Sequence, residues 1–294
     1  MSESVNGPLI QVRNLHHTYL QGTPHEAVAL RGVDLTVERG ETVGLIGPTG
    51  SGKSTLLQHL NGLLRPQSGE VWINGQDTGN PRTDLQTICR RVGLVFQNPE
   101  DQLFERYAGD DVAFGPRNLR LPQSEVRQRV RWAMEAVGLG FEGFKDRLTM
   151  SLSEGERRRL ALAGVLALKP EVLVLDEPTA GLDPKGRKDL LEWLIRWREE
   201  QEGTIVLASH NMEDLARLAD RLYVLVEGRI ILNGTPREVF FQFDVLDRHG
   251  LGTPLAVSVM HVLQARGLPV RTDAITVAEA AAEIEALLNK GSAC

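Results

Sequence analysis

"GPTGSGKST", residues 47–55, is the stretch on which the reading of this chain turns. Gly47, four residues and then Gly52-Lys53-Ser54 make a phosphate-loop pattern if a strand precedes it and a helix follows. Both flanks qualify: "VDLTVERGETVGLIG" reads as β-forming residues running into the loop, and "STLLQHLNGLL" (54–64) leaves it with apolar residues at helical spacing. Gly47, Pro48, Thr49, Gly50 and Ser51 let the backbone curl so that N–H groups converge on phosphate oxygens. Gly52, Lys53, Ser54 and Thr55 open the helix, whose N-terminus adds partial positive charge. Lys53 is placed to reach β- and γ-phosphates, and Ser54 to ligate Mg²⁺.

Downstream, "VLVLDEPT" (172–179) supplies the other half of such a site. Four apolar residues predict a buried strand, Asp176 at its carboxyl end orients the Mg²⁺ sphere, and Glu177 stands where an attacking water is polarised. Gln97, after "VGLVF", is a candidate for Mg²⁺ or the water. His210 ends "TIVLASH" at a strand's carboxyl end, where ligands of α/β sheets gather, and is read as a γ-phosphate contact. Tyr19, before the loop, is placed to stack on adenine, although a core tyrosine fits its spacing nearly as well.

"LSEGERRRLALAGVLA" (152–167) raises a separate question. Ser153-x-x-Glu156 is a capping box, in which the hydroxyl serves the N–H of Glu156 and that carboxylate turns back to Ser153. The box leaves Gly155 unexplained. A second anion cradle at Ser153 and Gly155 explains it, provided Glu156 is turned aside and Glu154 faces solvent. Since the phosphate loop already cradles one nucleotide, a second cradle points to a dimer that shares its nucleotides. The basic run Arg157–Arg159 reads as a solvated or ion-paired helix face.

The wider chain agrees with an ATP-handling α/β protein. Its 294 residues are 41% apolar and 24% charged, enough for a sizeable core, and the net charge of −6 gives a nucleic-acid partner no encouragement. Two cysteines, Cys89 and Cys294, are too few for a disulfide framework. "MSESVNGPLIQV" has no secretory character, and no apolar run approaches the length of a membrane span. Strands are expected at "LIQVRNLHHTYL", "GEVWINGQDT" and "RRVGLVFQ" (90–97), and a hairpin in "RLYVLVEGRIILNG" around Glu227-Gly228. Between about 98 and 165, "SEVRQRVRWAMEAVGL" and the "SEGERRRLALAGVLAL" stretch predict amphipathic helices, each with a capping-box start, in an inserted helical subdomain. Residues 235–294 form a tail ending in the helix "TVAEAAAEIEALLNK".

Taken together, Gly47–Thr55, Gln97, Leu152–Glu156, Asp176–Glu177, "AGLDP" (180–184) and His210 resemble the ATPases of ABC transporters over about residues 9–234. The resemblance implies an α/β phosphate-loop NTPase cassette: a mostly parallel core sheet, an N-terminal antiparallel β subdomain, an inserted helical subdomain and a small C-terminal extension. It implies two cassettes packed head to tail, with Ser153 and Gly155 facing the γ-phosphate held by the other chain. Asp183 matches the loop that communicates across the dimer, and Tyr19 the adenine-stacking aromatic. The family's usual signature reads Leu-Ser-Gly-Gly-Gln, from which Glu154 and Glu156 depart.

More narrowly, "HEAVAL", "LLQHLNGLLRPQSG", "VFQNPEDQLFE", "FGPRN" and "DPKGRKDL" resemble energy-coupling-factor (ECF) ATPases, and within them the second of two paralogous subunits. That implies ATP hydrolysis with Mg²⁺, a paired ATPase subunit (a paralogue or a second copy), a transmembrane T component, a substrate-binding S component and no nucleic acid. It also implies a peripheral position on the cytoplasmic face of the membrane, powering uptake of vitamins or transition-metal ions. The T component would dock beside Asn98–Glu105, where Glu100, Asp101 and Glu105 can meet basic residues, and the tail would add a dimer contact. A soluble ABC protein of translation or DNA repair fits less well, because the chain has one cassette and no sustained heptads. A cassette that only binds ATP fits less well too, because Lys53, Ser54, Asp176, Glu177 and His210 are all present.

Overall fold

A computed structural model of the protein describes residues 7–291; the first six residues and the last three, Cys294 among them, lie outside. The chain opens with β1 (Ile10–Tyr19), β2 (Ala27–Val37), β3 (Thr42–Ile46), α1 (Lys53–Leu60), β4 (Ser68–Ile73) and β5 (Gln76–Asp77). It continues with α2 (Leu85–Arg91), β6 (Val92–Val95), α3 (Ala108–Asn118), α4 (Gln123–Ala136), α5 (Phe141–Phe144) and α6 (Glu154–Leu166). The second half alternates: β7 (Val172–Asp176), α7 (Pro184–Gln201), β8 (Thr204–Ala208), α8 (Met212–Leu218), then the hairpin β9 (Arg221–Val226) and β10 (Arg229–Gly234). Four helices close the chain: α9 (Pro236–Phe240), α10 (Phe243–Arg248), α11 (Leu255–Ala265) and α12 (Val277–Gly291).

Six strands form the core sheet in the order β10-β9-β3-β8-β7-β6, parallel except for the β9–β10 hairpin. Its central strands are buried on both faces, which is why "TVGLI", "VLVLD" and "TIVLA" read as nearly unbroken apolar runs. Period-two alternation still sorts their side chains. Val43, Leu45, Val172, Val174 and Val206 join the core beneath α1 and the antiparallel sheet. Leu173, Leu175, Ile205 and Leu207 face the opposite core, with α6, α7 and the helices of residues 108–141.

The second sheet is antiparallel, in the order β2-β1-β4-β5, and is the expected N-terminal subdomain. Glu227 and Gly228, with φ of 47° and 77°, make the tight turn between β9 and β10 that was read at that dipeptide. The first part of the tail is not detached from the cassette: Val239, Phe240, Leu246 and Val257 bury into the core cluster that contains β7 and β8. Farther on, Met260, Val270, Ala274 and Ala280 make a small cluster of their own.

Several local expectations are corrected. Arg90 and Arg91 close a helix, α2, that the chain's pattern did not announce, so the strand starts at Val92 and ends at Val95, two residues short of Gln97. Asp84 caps α2 by accepting the N–H of Gln86. Helix α1 stops at Leu60 rather than continuing to Leu64, because Gly62 takes φ 79° just past the end. Helix α3, which holds two glycines and Pro116, is likewise not announced by the sequence. The capping box expected on α4 is absent: Pro122 precedes its first turn, and no side chain caps it.

Candidate functional site

Four loops meet at the carboxyl edge of the core sheet, after β3, β6, β7 and β8. The loop after β3 is held by close approach. A Cβ on Gly47 would lie 2.1 Å from the Leu225 carbonyl oxygen; on Gly52, with φ 104°, it would lie 2.4 Å from that of Ala29. Only glycine fits either place. The Ser51 carbonyl accepts the N–H of Gly228, tying the loop to the β9–β10 turn. Ser51 Oγ is buried and has no hydrogen-bond partner. Lys53 Nζ donates to the carbonyls of Gly47 and Pro48 at 2.7 and 3.0 Å. Burial pushes its ammonium below the usual lysine value, against the pull of Glu177 and Asp176.

Opposite, Asp176 ends β7 and Glu177 follows it, both buried. Burial raises both carboxyls above the ordinary carboxylate range. For Asp176 that rise is opposed by a hydrogen bond with the Ser54 hydroxyl and by the charges of Lys53 and His210. Glu177 Oε2 accepts the main-chain N–H of His210 at 3.2 Å. His210 Nε2 stands 3.3 Å from Glu177 Oε1, yet not aligned to bond it, so that buried oxygen has no hydrogen-bond partner. Lys53, Ser54, Asp176, Glu177 and His210, singled out separately in the sequence, thus form one cluster. Gln97 is exposed on the bend after β6. Tyr19 is 39% exposed, donates or accepts one hydrogen bond with Thr55 Oγ1 at 3.1 Å, and packs edge-on to His17.

The orphaned Ser51 Oγ and Glu177 Oε1 are the observations that fit a triphosphate and its attacking water. Each is a buried polar atom at the carboxyl edge of the core sheet, and such atoms are costly unless something bonds them. The donors beside them are lysine ammonium, loop N–H groups and a helix start, a set suited to phosphate.

At the start of α6, the capping box forms as read. Glu156 Oε2 accepts from Ser153 N at 2.7 Å and from Ser153 Oγ at 2.9 Å, while Oε1 meets Arg147 Nη1 at 3.0 Å. These bonds, the one from Ser153 N–H foremost, hold the Glu156 carboxyl below its ordinary range. Glu154 is exposed. Glu154 thus faces solvent as expected, but Glu156 is not turned aside: its carboxylate sits on Ser153 and takes both the N–H and the hydroxyl of that corner. Asp183 caps α7, its Oδ1 accepting Gly186 N–H at 3.0 Å.

The arginine run departs in one residue from its reading as a solvated or ion-paired face. Arg157 pairs with Glu100 at 3.4 Å, but Arg158 is buried and donates through Nη1 to the carbonyl of Glu177. Helical spacing carried the signal: Arg158 stands four and seven residues before Leu162 and Val165, on the apolar side of α6.

A family model described as "ABC transporter" matches residues 30–180, more than half of the chain. The chain belongs to the ABC transporter family, among its ECF-type ATP-binding proteins. It is 47% identical over 275 residues to the "Energy-coupling factor transporter ATP-binding protein EcfA2" of Clostridium acetobutylicum, covering 94% of this chain and 96% of that one. With the EcfA2 of Symbiobacterium thermophilum it shares 50% over 272 residues, 92% of this chain and 94% of that one. These names agree with the second-subunit expectation.

Among solved structures, cbiO1 of Clostridium perfringens, described as part of the ABC transporter complex cbiONQ, superposes with a TM-score of 0.70. It is 38% identical, over 82% of this chain and 94% of that one. A dimeric ATP-binding cassette in a post-hydrolysis state bound to ADP and Pi gives 0.71 at 30% identity, over 77% and 98%. A shorter match to "AAA domain, putative AbiEii toxin, Type IV TA system" covers residues 148–215. This chain is accordingly an ABC ATPase and binds nucleotide. No helix among the described residues is long and apolar enough to cross a membrane.

Proposed function

We propose that the cluster of Lys53, Asp176, Glu177 and His210 hydrolyses ATP to drive an ECF-type importer for vitamins or transition-metal ions. The observation that carries this is the buried, unbonded Oε1 of Glu177, beside His210 and across from Lys53. A carboxylate so placed accepts a proton from an attacking water, and its burial strengthens it as a base. Lys53 and the loop N–H groups grip the β- and γ-phosphates, while His210 meets the γ-phosphate from the other side. Ser54, Asp176 and Gln97 would hold Mg²⁺, which supplies neutralisation of phosphate charge. Positioning and charge stabilisation account for most of the catalysis in such transfers.

Support for a two-chain site comes from the Ser153–Gly155 corner at the start of α6, where Ser153 is exposed and a phosphate would displace the Glu156 carboxylate, and from the dimeric cassette of like fold. Head-to-tail pairing with a second ATPase chain, a paralogue or a second copy, brings that corner onto the partner's γ-phosphate and Asp183 to the shared interface. Tyr19 stacks on adenine. Residues 1–234 act as the ATPase domain, with the helical subdomain at about 98–165, and 235–294 as an extension that adds a dimer contact. The T component docks beside Asn98–Glu105, with the S component carrying the cargo, so that the chain works peripherally at the cytoplasmic face of the membrane.

The test is Glu177→Gln in the complex of ATPase and membrane subunits. Retained ATP binding with turnover lost supports the assignment; turnover at the wild-type rate overturns it.

A further inference from the structure

Arg158 is the one arginine of its run that is buried as a whole side chain. It is 6% exposed, its Nη1 donates to the Glu177 carbonyl, and its Nη2 stands 3.8 Å from Glu154 Oε1. Its Nε has no hydrogen-bond partner. One side chain therefore joins the first turn of α6, which carries Ser153 and Gly155, to the residue that follows β7. A buried guanidinium is costly, and the one carboxylate it pairs with, that of Glu154, is exposed and 3.8 Å away. Packing alone would be served as well by a leucine or methionine on this face of α6.

What the guanidinium holds is unusual backbone. Glu177 has φ 50°, the left-handed region that a residue with a side chain adopts only when its surroundings enforce it. Its N–H donates to the Ala208 carbonyl at 3.0 Å, and its own carbonyl accepts Ala180 N–H at 3.2 Å as well as Arg158. These bonds set the peptide, and the peptide sets where the carboxylate points. On the other side, the exposed Glu154 lies against Gly181, where a Cβ would come within 2.5 Å of its Oε1.

We propose that Arg158 is a positioning residue for the reaction: it fixes the peptide of Glu177 so that the carboxylate meets the water, and it ties that setting to the turn carrying Ser153 and Gly155. This rests on Glu177 as the group that polarises the water. The rigid, two-sided fork of arginine suits the task, whereas a lysine reaches one carbonyl as a point charge.

The experiment is a mutant cycle on the full chain in its complex with partner ATPase and membrane subunits. Steady-state kcat and KM for ATP are measured for R158A and R158K. Single turnover of radiolabelled ATP is measured for E177Q and for the double variant R158A/E177Q. Loss of a charge-assisted hydrogen bond that orients the base predicts a fall in kcat of about tenfold to a hundredfold in R158A. KM for ATP stays within about twofold, and R158K recovers part of the loss. In the E177Q background, R158A produces no further fall, because the group it positions is gone.

A purely structural arginine gives the opposite: R158A lowers the E177Q rate by the same factor as it lowers wild type, and the proposal is overturned. It is overturned equally if R158A turns over at the wild-type rate. Full turnover by E177Q alone would instead strike down the reading of Glu177, a result the cycle reports separately.

Discussion

His210 meets Glu177 with two different groups, of which only one bonds it. Its main-chain N–H donates to Oε2 at 3.2 Å, and its imidazole Nε2 stands 3.3 Å from Oε1. The first contact survives any change of the ring; the second does not. His210→Ala should thus leave Glu177 in place and ATP affinity close to normal while lowering kcat by roughly a hundredfold, in the range for loss of one transition-state donor. Steady-state ATPase kinetics with a nucleotide-binding titration would check it; a kcat within about twofold of wild type counts against a catalytic His210.

The raised carboxyl of Glu177 also predicts a trade between activity and stability. A folded-state value above the unfolded one means the native state binds the proton more tightly, so stability falls as pH rises from the unfolded value through the folded one. At neutral pH the ionised, desolvated carboxylate therefore costs stability. Glu177→Gln should melt higher than wild type at neutral pH, with the gain shrinking as pH falls toward the ordinary carboxylate range. Thermal melts across pH would show this; an equal gain at every pH would place its source elsewhere.

His59 gives the reverse sign. It is fully buried on α1, its Nδ1 bonding the Thr55 carbonyl at 2.7 Å, its ring edge-on to His17, and burial holds it down at about 4. The unfolded chain takes up its proton first, so stability is lost as pH falls from about 6.5 to about 4, by at most about 3 kcal/mol from this group. His59→Leu should flatten that acid limb in urea titrations. A limb of unchanged slope would assign it to other groups.

The loop glycines predict loss of binding with little ambiguity of cause. Gly52→Ala puts a methyl 2.4 Å from a main-chain oxygen at a positive φ, so the loop must shift. ATP affinity should fall at least about tenfold. A titration with a fluorescent ATP analogue tests this, and unchanged affinity would mean the loop tolerates the shift.

Much of this is legible in the sequence alone. The phosphate loop, the aspartate strand and His210 are legible because each sits where a buried apolar run meets a turn, and β3, β7 and β8 end there. Capping chemistry at Ser153 was equally local, and the box formed. What stayed hidden depended on tertiary context. Helix α2 carries a short sequence, "LQTICRR", with a single buried residue, Ile88, so its period is invisible. Gln97 looked like a strand end because "VGLVF" is apolar throughout, yet pairing with β7 stops at Val95. Arg158 looked like its neighbours because burial of an arginine is decided by what it meets, here a carbonyl nineteen residues away.

The central claim is that ATP is closed between two chains, with Ser153 and Gly155 of one completing the site of the other. The most direct measurement is the mass of the Glu177→Gln chain, purified with its partner ATPase and loaded with ATP and Mg²⁺, by multi-angle light scattering. Two ATPase chains that associate with ATP and part with ADP are the predicted result. ATPase chains that stay single in ATP, with nucleotide bound to each and the membrane subunits supplied, would contradict it.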